Sequence, residues 1–490
     1  MKKNEICNIE IVDMSINGEG IGKVDGFPLF IKDAIIGDEI VAKVTKVNKS
    51  YGFGRVEEVI KASEYRVEPR CPIARPCGGC QLQEMDYRKQ LKFKERKVYE
   101  HLKRIGGFSE ELLFEVTEPI IGMENPFNYR NKATFPFGRG KDGGIITGFY
   151  AGRTHNIIPN TDCMVGVPVN QEVLETIVTY MKRHNIAPYD EVNHTGVVRH
   201  VLIRYGFSTH EIMVCLIINS NKSIVLRNVE ELIDKLKEIP GMTSIVLNFN
   251  TKNTNVIMGH ECKVLWGEDY ITDTLTSREN HKSIKYRISP LSFYQVNPIQ
   301  TEQLYDLALE FAGLTGKEMV WDLYCGIGTI SLFLSGKAKR VIGVEVVPQA
   351  IEDAKENARI NGIKNVEFIV GKSEEVFIKH HGEEFLKEKL PKEVFSTEVG
   401  KVQKRSPDVI VLDPPRKGCD ESLLEAITKV KPEKVVYVSC DSATLARDLK
   451  YLCGRGYEIK GVRAVDMFPM TVHVETVVLL IKERSDTEKH

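Results

Sequence analysis

No run of apolar residues in this sequence approaches the ~20 that a membrane-spanning helix requires. Met1 to Glu10 lacks the apolar core of a secretory signal peptide. These two absences predict a cytoplasmic protein with no membrane partner. Net charge is nearly absent too, since 67 Lys and Arg meet 68 Asp and Glu. That balance leaves an RNA partner open, because local patches rather than the total decide such binding. Disulfides are not expected: eleven cysteines is an odd count, Cys215 and Cys325 sit in apolar strand-like runs, and a reducing compartment disfavours the bond. Length excludes a single core, because 490 residues at ~150 per domain give about three domains.

What is present begins with residues 71 to 80, "CPIARPCGGC", three cysteines in ten positions beside two prolines and two glycines. In a reducing compartment such a group points to metal binding or redox chemistry. The C-x5-C-x2-C spacing does not separate zinc from iron–sulfur, since both take four thiolates.

Residues 1–60 hold short β-rich runs, "ICNIEIVDM", "PLFIK" and "DEIVAKVTKV", separated by "NGEGIGKVDG" and "AIIGD". That spacing predicts a small OB-like barrel. Such a barrel either binds oligonucleotides or serves another role, and the pattern leaves both open. Residues 61–285 form a middle region that continues from the cysteines into "YRKQLKFKERKVYEHLKRIGG", helical in composition and stopped by Gly106 and Gly107. There Arg88, Lys89, Lys92, Lys94, Arg96, Lys97, Lys103 and Arg104 face only Glu95 and Glu100. The helix presents either a solvated face or an RNA-binding face. "PFNYRNKATFPFGRGKDGG" joins cations to aromatics again, as phosphate attraction plus base stacking requires and as a basic hairpin packed on Phe and Tyr would also show.

From about Ile288 strands and helices alternate through "EMVWDLYCGIGTISLFLS", "RVIGVEVV", "VEFIVG", "DVIVLDPPRKG" and "KVVYVSCD". This predicts a doubly wound parallel sheet over 286–484, with ligands at the carboxyl ends of its strands. Residues 377–405 break the rhythm as a charge-rich surface insertion. The turn "YCGIGTIS" has Gly326 and Gly328 but lacks the third glycine of a dinucleotide fingerprint. Glu345 closes the second strand nineteen residues after Gly326, where a carboxylate accepts both ribose hydroxyl protons. The combination suits a nucleoside cofactor without a pyrophosphate, such as S-adenosylmethionine, although a structural turn and a surface Glu would read alike. Asp413 ends the fourth strand at the same edge, either to meet cofactor or base or to cap a helix. Cys440 ends the fifth strand before a helix, whose dipole and free amides lower a thiol's pKa, and a structural cysteine is the alternative. Glu475 interrupts the apolar run "FPMTVHVETVVLL", and a buried carboxylate there needs a partner or a function.

"YRNKA", "QVNPIQ", "DLYCGIGT", "LDPPRKG", "VSCD" and "HVET", in this order, resemble the RNA uracil-5-methyltransferase family. With the β-rich start and the cysteine group, the chain is most similar to the family's 23S ribosomal RNA branch, which carries an N-terminal TRAM domain and a 4Fe-4S cluster. The resemblance covers nearly the whole chain. It implies a TRAM barrel over 1–60, a middle α+β iron–sulfur and RNA-binding domain over 61–285, and a Rossmann-like class I S-adenosylmethionine methyltransferase domain over 286–484. Gln295, Tyr324, Glu345 and Asp413 match the family's S-adenosylmethionine positions, Cys440 the nucleophile and Glu475 the general base. Cys71, Cys77 and Cys80 match three iron ligands, and Cys163 in "PNTDCMV" the fourth.

The implied reaction is methylation of carbon 5 of a uridine in RNA by a monomer, with 23S rRNA as the first substrate and tRNA as the alternative. An amino-methylating enzyme could use "DPPR" in its own way; Arg416 in place of an aromatic, together with Cys440 and Glu475, argues against it. A non-catalytic RNA-binding protein on a dead domain would be expected to lose Cys440 or Glu475. The resemblance assigns no role to the 377–405 insertion.

Overall fold

Alternating apolar residues in the first sixty positions build a six-stranded sheet, ordered Ile6–Glu10, Glu39–Val47, Gly52–Lys61, Phe27–Lys32, Gly20–Val24, Asp13–Met14. Ile9, Ile11, Leu29, Ile31, Ile40, Ala42 and Val44 fill its interior. Gly20 and Gly22 let the third strand press onto the first; a Cβ at Gly22 would lie 2.4 Å from the Glu10 carbonyl oxygen. The sheet curls over on itself there, with the Val12 amide donating to the Ile21 carbonyl at 2.9 Å, as a small barrel-like module requires. This computed structural model describes residues 1–152, 154–220, 226–278, 281–381 and 406–483.

The middle region carries a seven-stranded sheet in the order Ile157–Pro159, Ile145–Tyr150, Lys132–Arg139, Val198–Tyr205, Ile212–Ile218, Met242–Phe249, Glu261–Gly267. Only the Ile212–Ile218 and Met242–Phe249 pair runs parallel. Helices Val169–Arg183 and Val229–Lys237 contribute Val173, Leu174, Ile177, Leu232 and Leu236 to its core.

The third sheet has eight strands, ordered Val366–Val370, Arg340–Glu345, Met319–Leu323, Val409–Leu412, Lys434–Ser439, Glu475–Lys482, Tyr457–Val465, Thr117–Ile121. The first five are parallel and Glu475–Lys482 runs against both its neighbours. Buried strands in both directions of the sheet explain the nearly continuous apolar runs in the sequence. Pro298–Ala312, Thr329–Ser335 and Pro348–Ile360 cover one face. Ser373–His381, Glu421–Val430 and Ser442–Cys453 cover the other. The charge-rich 377–405 segment begins inside Ser373–His381, and its residues 382–405 lie outside the described residues.

Residues from the middle of the chain complete this sheet. Thr117–Ile121 adds an outer strand parallel to Tyr457–Val465. Val98, Leu102, Leu113 and Val116 from the preceding helices enter the core of the same layer. Helix Tyr87–His101 therefore does not stand free as a basic face. Tyr87, Gln90, Lys94, Lys97 and His101, at helical spacings of three and four, form its inner stripe. Each hydrogen-bonds the layer built on the eight-stranded sheet: Tyr87 to Asp466, Gln90 to Met470, Lys94 to Asp466 and the Phe468 carbonyl, Lys97 to the Val472 carbonyl and His101 to Ser442. This corrects the expectation that Lys94 faces RNA; it is wholly buried. Lys92 and Arg96 remain on the exposed side.

Candidate active site

A cleft of about 730 Å³ opens at the carboxyl ends of the parallel strands, where that topology puts ligands. Gln295, Tyr324, Glu345, Asp413, Cys440 and Glu475, widely separated in the chain, all line it.

The turn after Met319–Leu323 is sharply built. The backbone amides of Tyr324 and Cys325 both donate to the Val344 carbonyl at 2.9 Å. Tyr324 then takes φ = 83°, uncommon for a side chain with a Cβ. Gly326 and Gly328 follow at φ = 55° and 82°. A Cβ at Gly328 would meet Phe368 at 2.9 Å, so that glycine is needed for packing; one at Gly326 would meet nothing within 4 Å, so that backbone is open to a ligand. Glu345, at the end of the neighbouring strand, is oriented by the amides of Gly326 (3.3 Å) and Val347 (2.9 Å). Gln295 comes from the loop before Pro298–Ala312, whose Asn297 cap accepts from the Gln300 amide. An oriented carboxylate, an open glycine and a cleft of this volume fit a nucleoside cofactor of the size of S-adenosylmethionine.

Several acids crowd the floor. Burial pushes Asp413 up to about 7, with the nearby Asp322 carboxylate adding to the effect. Glu475 begins the reversed strand and is only 3% exposed. Burial, reinforced by Asp413 and opposed by Arg416, raises it to about 8. Cys440 behaves opposite to the expected lowered thiol. Asp441 caps helix Ser442–Cys453 by accepting from the Ala443 and Thr444 amides, which takes the free donors. Burial first, then Glu475 and Asp413, push the Cys440 thiol up to about 12; Arg416 pulls the other way. The same buried, acid-rich setting favours the neutral form of every member.

Sequence reasoning missed several lining residues. Phe293 is 67% exposed at the rim. His473 shares the cleft, and burial lowers it to about 4. Tyr305 donates to the Thr329 hydroxyl at 2.9 Å beneath the turn. Phe293 and His473 each stand two positions before a residue that was identified, Gln295 and Glu475, and that proximity was the available signal. Asp322, buried under the turn, accepts from the Ser331 hydroxyl at 2.5 Å and is raised to about 7 by burial.

The cysteine group lies away from this cleft. Cys71 is buried, and Cys77, Cys80 and Cys163 are half-buried; all four are free thiols. Burial and the other thiols raise Cys80 to about 12, while Cys71 and Cys163 are raised chiefly by burial. The Gly79 amide donates to the Cys77 sulfur at 3.4 Å. Among the described residues no three Cys, His, Asp or Glu side chains are arranged to hold a metal ion, so the expected metal centre at these cysteines is not formed as a ligand shell. The group is nevertheless a junction. Gly78 bonds the Tyr150 carbonyl, and Gln81 and Leu82 bond the Met470 carbonyl, all at 3.0 Å, while the Arg75 carbonyl accepts from Lys32 of the barrel at 2.6 Å.

Residues 220–483 match the family model described as tRNA (Uracil-5-)-methyltransferase, and residues 2–56 match the TRAM domain. The chain is 49% identical over 481 residues, 98% of each chain, to an uncharacterized RNA methyltransferase of Halalkalibacterium halodurans. It is 47% identical to one of Clostridium tetani, covering 98% of this chain and 97% of that one. Among solved structures it is similar to the Pyrococcus abyssi tRNA (uracil-54, C5)-methyltransferase in complex with S-adenosyl-L-homocysteine. That match has a TM-score of 0.72 and 27% identity, over 97% of this chain and 99% of the other. Among the described residues no helix is long and apolar enough to cross a membrane.

Proposed function

The chain belongs to the tRNA (uracil-5-)-methyltransferase family, and from that premise we propose that it methylates carbon 5 of a uridine in 23S ribosomal RNA, with Cys440 as nucleophile and Glu475 as general base. The observation that carries the reading is the meeting of Cys440 and Glu475 in one cleft with Glu345 and the open Gly326 turn.

Gln295, Tyr324, Glu345 and Asp413 would hold S-adenosylmethionine, Glu345 through the ribose hydroxyls. When bound, that cofactor supplies an electrophilic methyl group for carbon 5 and a positive charge beside the acids. Carbon 5 of uracil is a weak nucleophile. Addition of the Cys440 sulfur to carbon 6 turns the ring into an enolate and makes carbon 5 reactive. Cys440 adds as the thiolate, a form its raised pKa opposes and the lining cation Arg416 favours. After methylation the saturated ring still holds the carbon 5 proton. Glu475 takes it as the carboxylate, a form its burial opposes and Arg416 favours, and the ring regains its double bond as the sulfur leaves. A stacked base cannot reach a cleft of this depth, so the uridine is flipped out of its RNA. The barrel and the exposed cations of the middle region would hold the surrounding strand.

The cysteine group supports the ribosomal assignment over tRNA. The four free thiols lie near enough that neighbouring members raise one another's pKa, and four thiolates is the number a 4Fe-4S cluster takes. Cys71, Cys77, Cys80 and Cys163 would hold it, and its contribution would be structural or a contact to RNA, since no step of the reaction transfers electrons.

The test mixes each variant with labelled RNA and S-adenosylmethionine and looks for a band shifted by the protein's mass after denaturing electrophoresis. Glu475→Gln accumulates that adduct, and Cys440→Ala neither forms it nor methylates. An adduct with Cys440→Ala, or normal turnover by Glu475→Gln, overturns the roles. Mapping 5-methyluridine in RNA from a deletion strain identifies the substrate; loss from tRNA instead of 23S rRNA overturns the assignment.

A further inference from the structure

Lys132 opens the strand Lys132–Arg139 and pairs in register with Arg204 on Val198–Tyr205, so the two side chains lie on the same face of the sheet. Like charges facing across strands are destabilising unless something offsets them. Arg130 joins the pair, its Nε donating to the Lys132 carbonyl at 3.2 Å. Arg204 is buried and spends its NH2 group on the carbonyls of Pro290 and Ser292. Lys132 and Arg130 are partly exposed. Among the described residues neither has an acidic partner within ion-pair distance. Burial lowers Lys132 to about 8, and Arg204 and then Arg130 add to the effect.

Three cations with no carboxylate beside them among the described residues are costly to keep together. Their position gives the cluster a purpose. Arg204 anchors the loop Pro290–Ser292, and the Asn131 side chain, between Arg130 and Lys132, donates to the Gln295 carbonyl at 3.0 Å. The same loop carries Phe293 and Gln295 into the catalytic cleft. The cations therefore flank the loop at the cleft's mouth, on the side of the middle domain.

We propose that Arg130 and Lys132, backed by Arg204, bind a phosphate of the RNA strand beside the uridine that enters the cleft past Phe293. This rests on the RNA-methylating reading of the same cleft and names which part of the substrate the middle domain holds there. Lys132 donates as a point charge and Arg130 through its guanidinium fork. Arg204 keeps the field positive, and its hydrogen bonds keep the loop in place. A phosphate arriving here offsets the repulsion that the free protein carries.

The experiment measures binding of a short oligouridylate to the full-length protein across a range of salt, alongside S-adenosylmethionine affinity, thermal stability and methylation of a 23S rRNA transcript. Lys132→Gln weakens RNA binding by roughly tenfold and lowers the salt slope by about 0.7, the loss of one phosphate contact on a single strand. Its melting temperature stays level or rises, because a repelled cation is gone, whereas a mere packing residue would cost stability on removal. Lys132→Glu, which pairs with Arg204, stabilises the fold further and weakens RNA binding more. An unchanged salt slope in Lys132→Gln overturns the site. So does a loss confined to S-adenosylmethionine affinity, which would make the bound anion the cofactor's carboxylate. Failure of the unsubstituted protein to methylate uridine, with the Lys132 dependence of RNA binding intact, overturns the reaction and leaves the phosphate site standing.

Discussion

Lys94 Nζ stands 2.5 Å from Asp466 Oδ1 with both side chains fully buried, which ties helix Tyr87–His101 to the segment leading into Glu475. Removing one partner of such a pair leaves an uncompensated buried charge and costs about 3–5 kcal/mol. Lys94→Met is therefore expected to lower stability by that amount in chemical denaturation, and Lys94→Met with Asp466→Leu to recover most of it. Lys92 is exposed and pairs with Glu95 on the same helix, so Lys92→Glu shifts stability by less than about 1 kcal/mol. It weakens RNA binding instead.

The acids of the cleft set a pH dependence. Glu475 rises from 4.5 to about 8 on folding. A raised acid pKa means that the folded state binds the proton more tightly than the unfolded chain, so this contribution is full below the unfolded value and is lost as pH climbs through the folded one. Ligand-free protein should lose stability between about pH 5 and 8, and Glu475→Gln should flatten that loss. A thermal-melt series over pH decides; identical slopes in both proteins refute the assignment.

The two turn glycines separate packing from ligand approach. Gly328→Ala brings a Cβ to 2.9 Å from Phe368 and forces φ = 82° on an alanine, so it lowers the melting temperature. Gly326→Ala meets no atom within 4 Å and pays only about 1–2 kcal/mol of left-handed strain. Its methyl group takes space a cofactor needs, and calorimetry should find S-adenosylmethionine affinity reduced at least tenfold.

Iron is the readout for the cysteine group. Protein purified without oxygen is expected to be brown with about four irons, and Cys77→Ser to bleach it. Loss of the cluster should also loosen the barrel, because Arg75 between the cysteines bonds both Lys32 and Glu84. Stoichiometric zinc without iron or sulfide refutes the cluster.

The layer holding the cleft was legible because Glu345, Asp413 and Cys440 each end or directly follow a buried parallel strand, and the topology then delivers them to one edge. What the sequence hid was non-local. Thr117–Ile121, five residues with a central proline, carries almost no strand signal and is held by pairing with Tyr457–Val465. Lys94 reads as one more cation of a basic helix until Asp466 is set beside it. The Cys440 expectation counted the helix dipole and omitted the Asp441 cap and the remote Glu475 and Asp413. Arg130 and Lys132 were legible as cations, yet the lack of an ion-paired acid beside them among the described residues exists only in the folded chain.

The outer strand Thr117–Ile121 waits a long time for its neighbour. Thr117 pairs with Val462, 345 residues later, so nearly the whole chain leaves the ribosome before this edge of the sheet can zip up. Helix Tyr87–His101 waits as well, since Asp466, Met470 and Val472 are made later still. Its inner stripe is polar, and during that interval tyrosine, glutamine, lysine and histidine side chains stay hydrated where leucines would invite aggregation. A lysine destined for complete burial thus keeps the nascent chain soluble, then locks the finished layers together when its aspartate arrives.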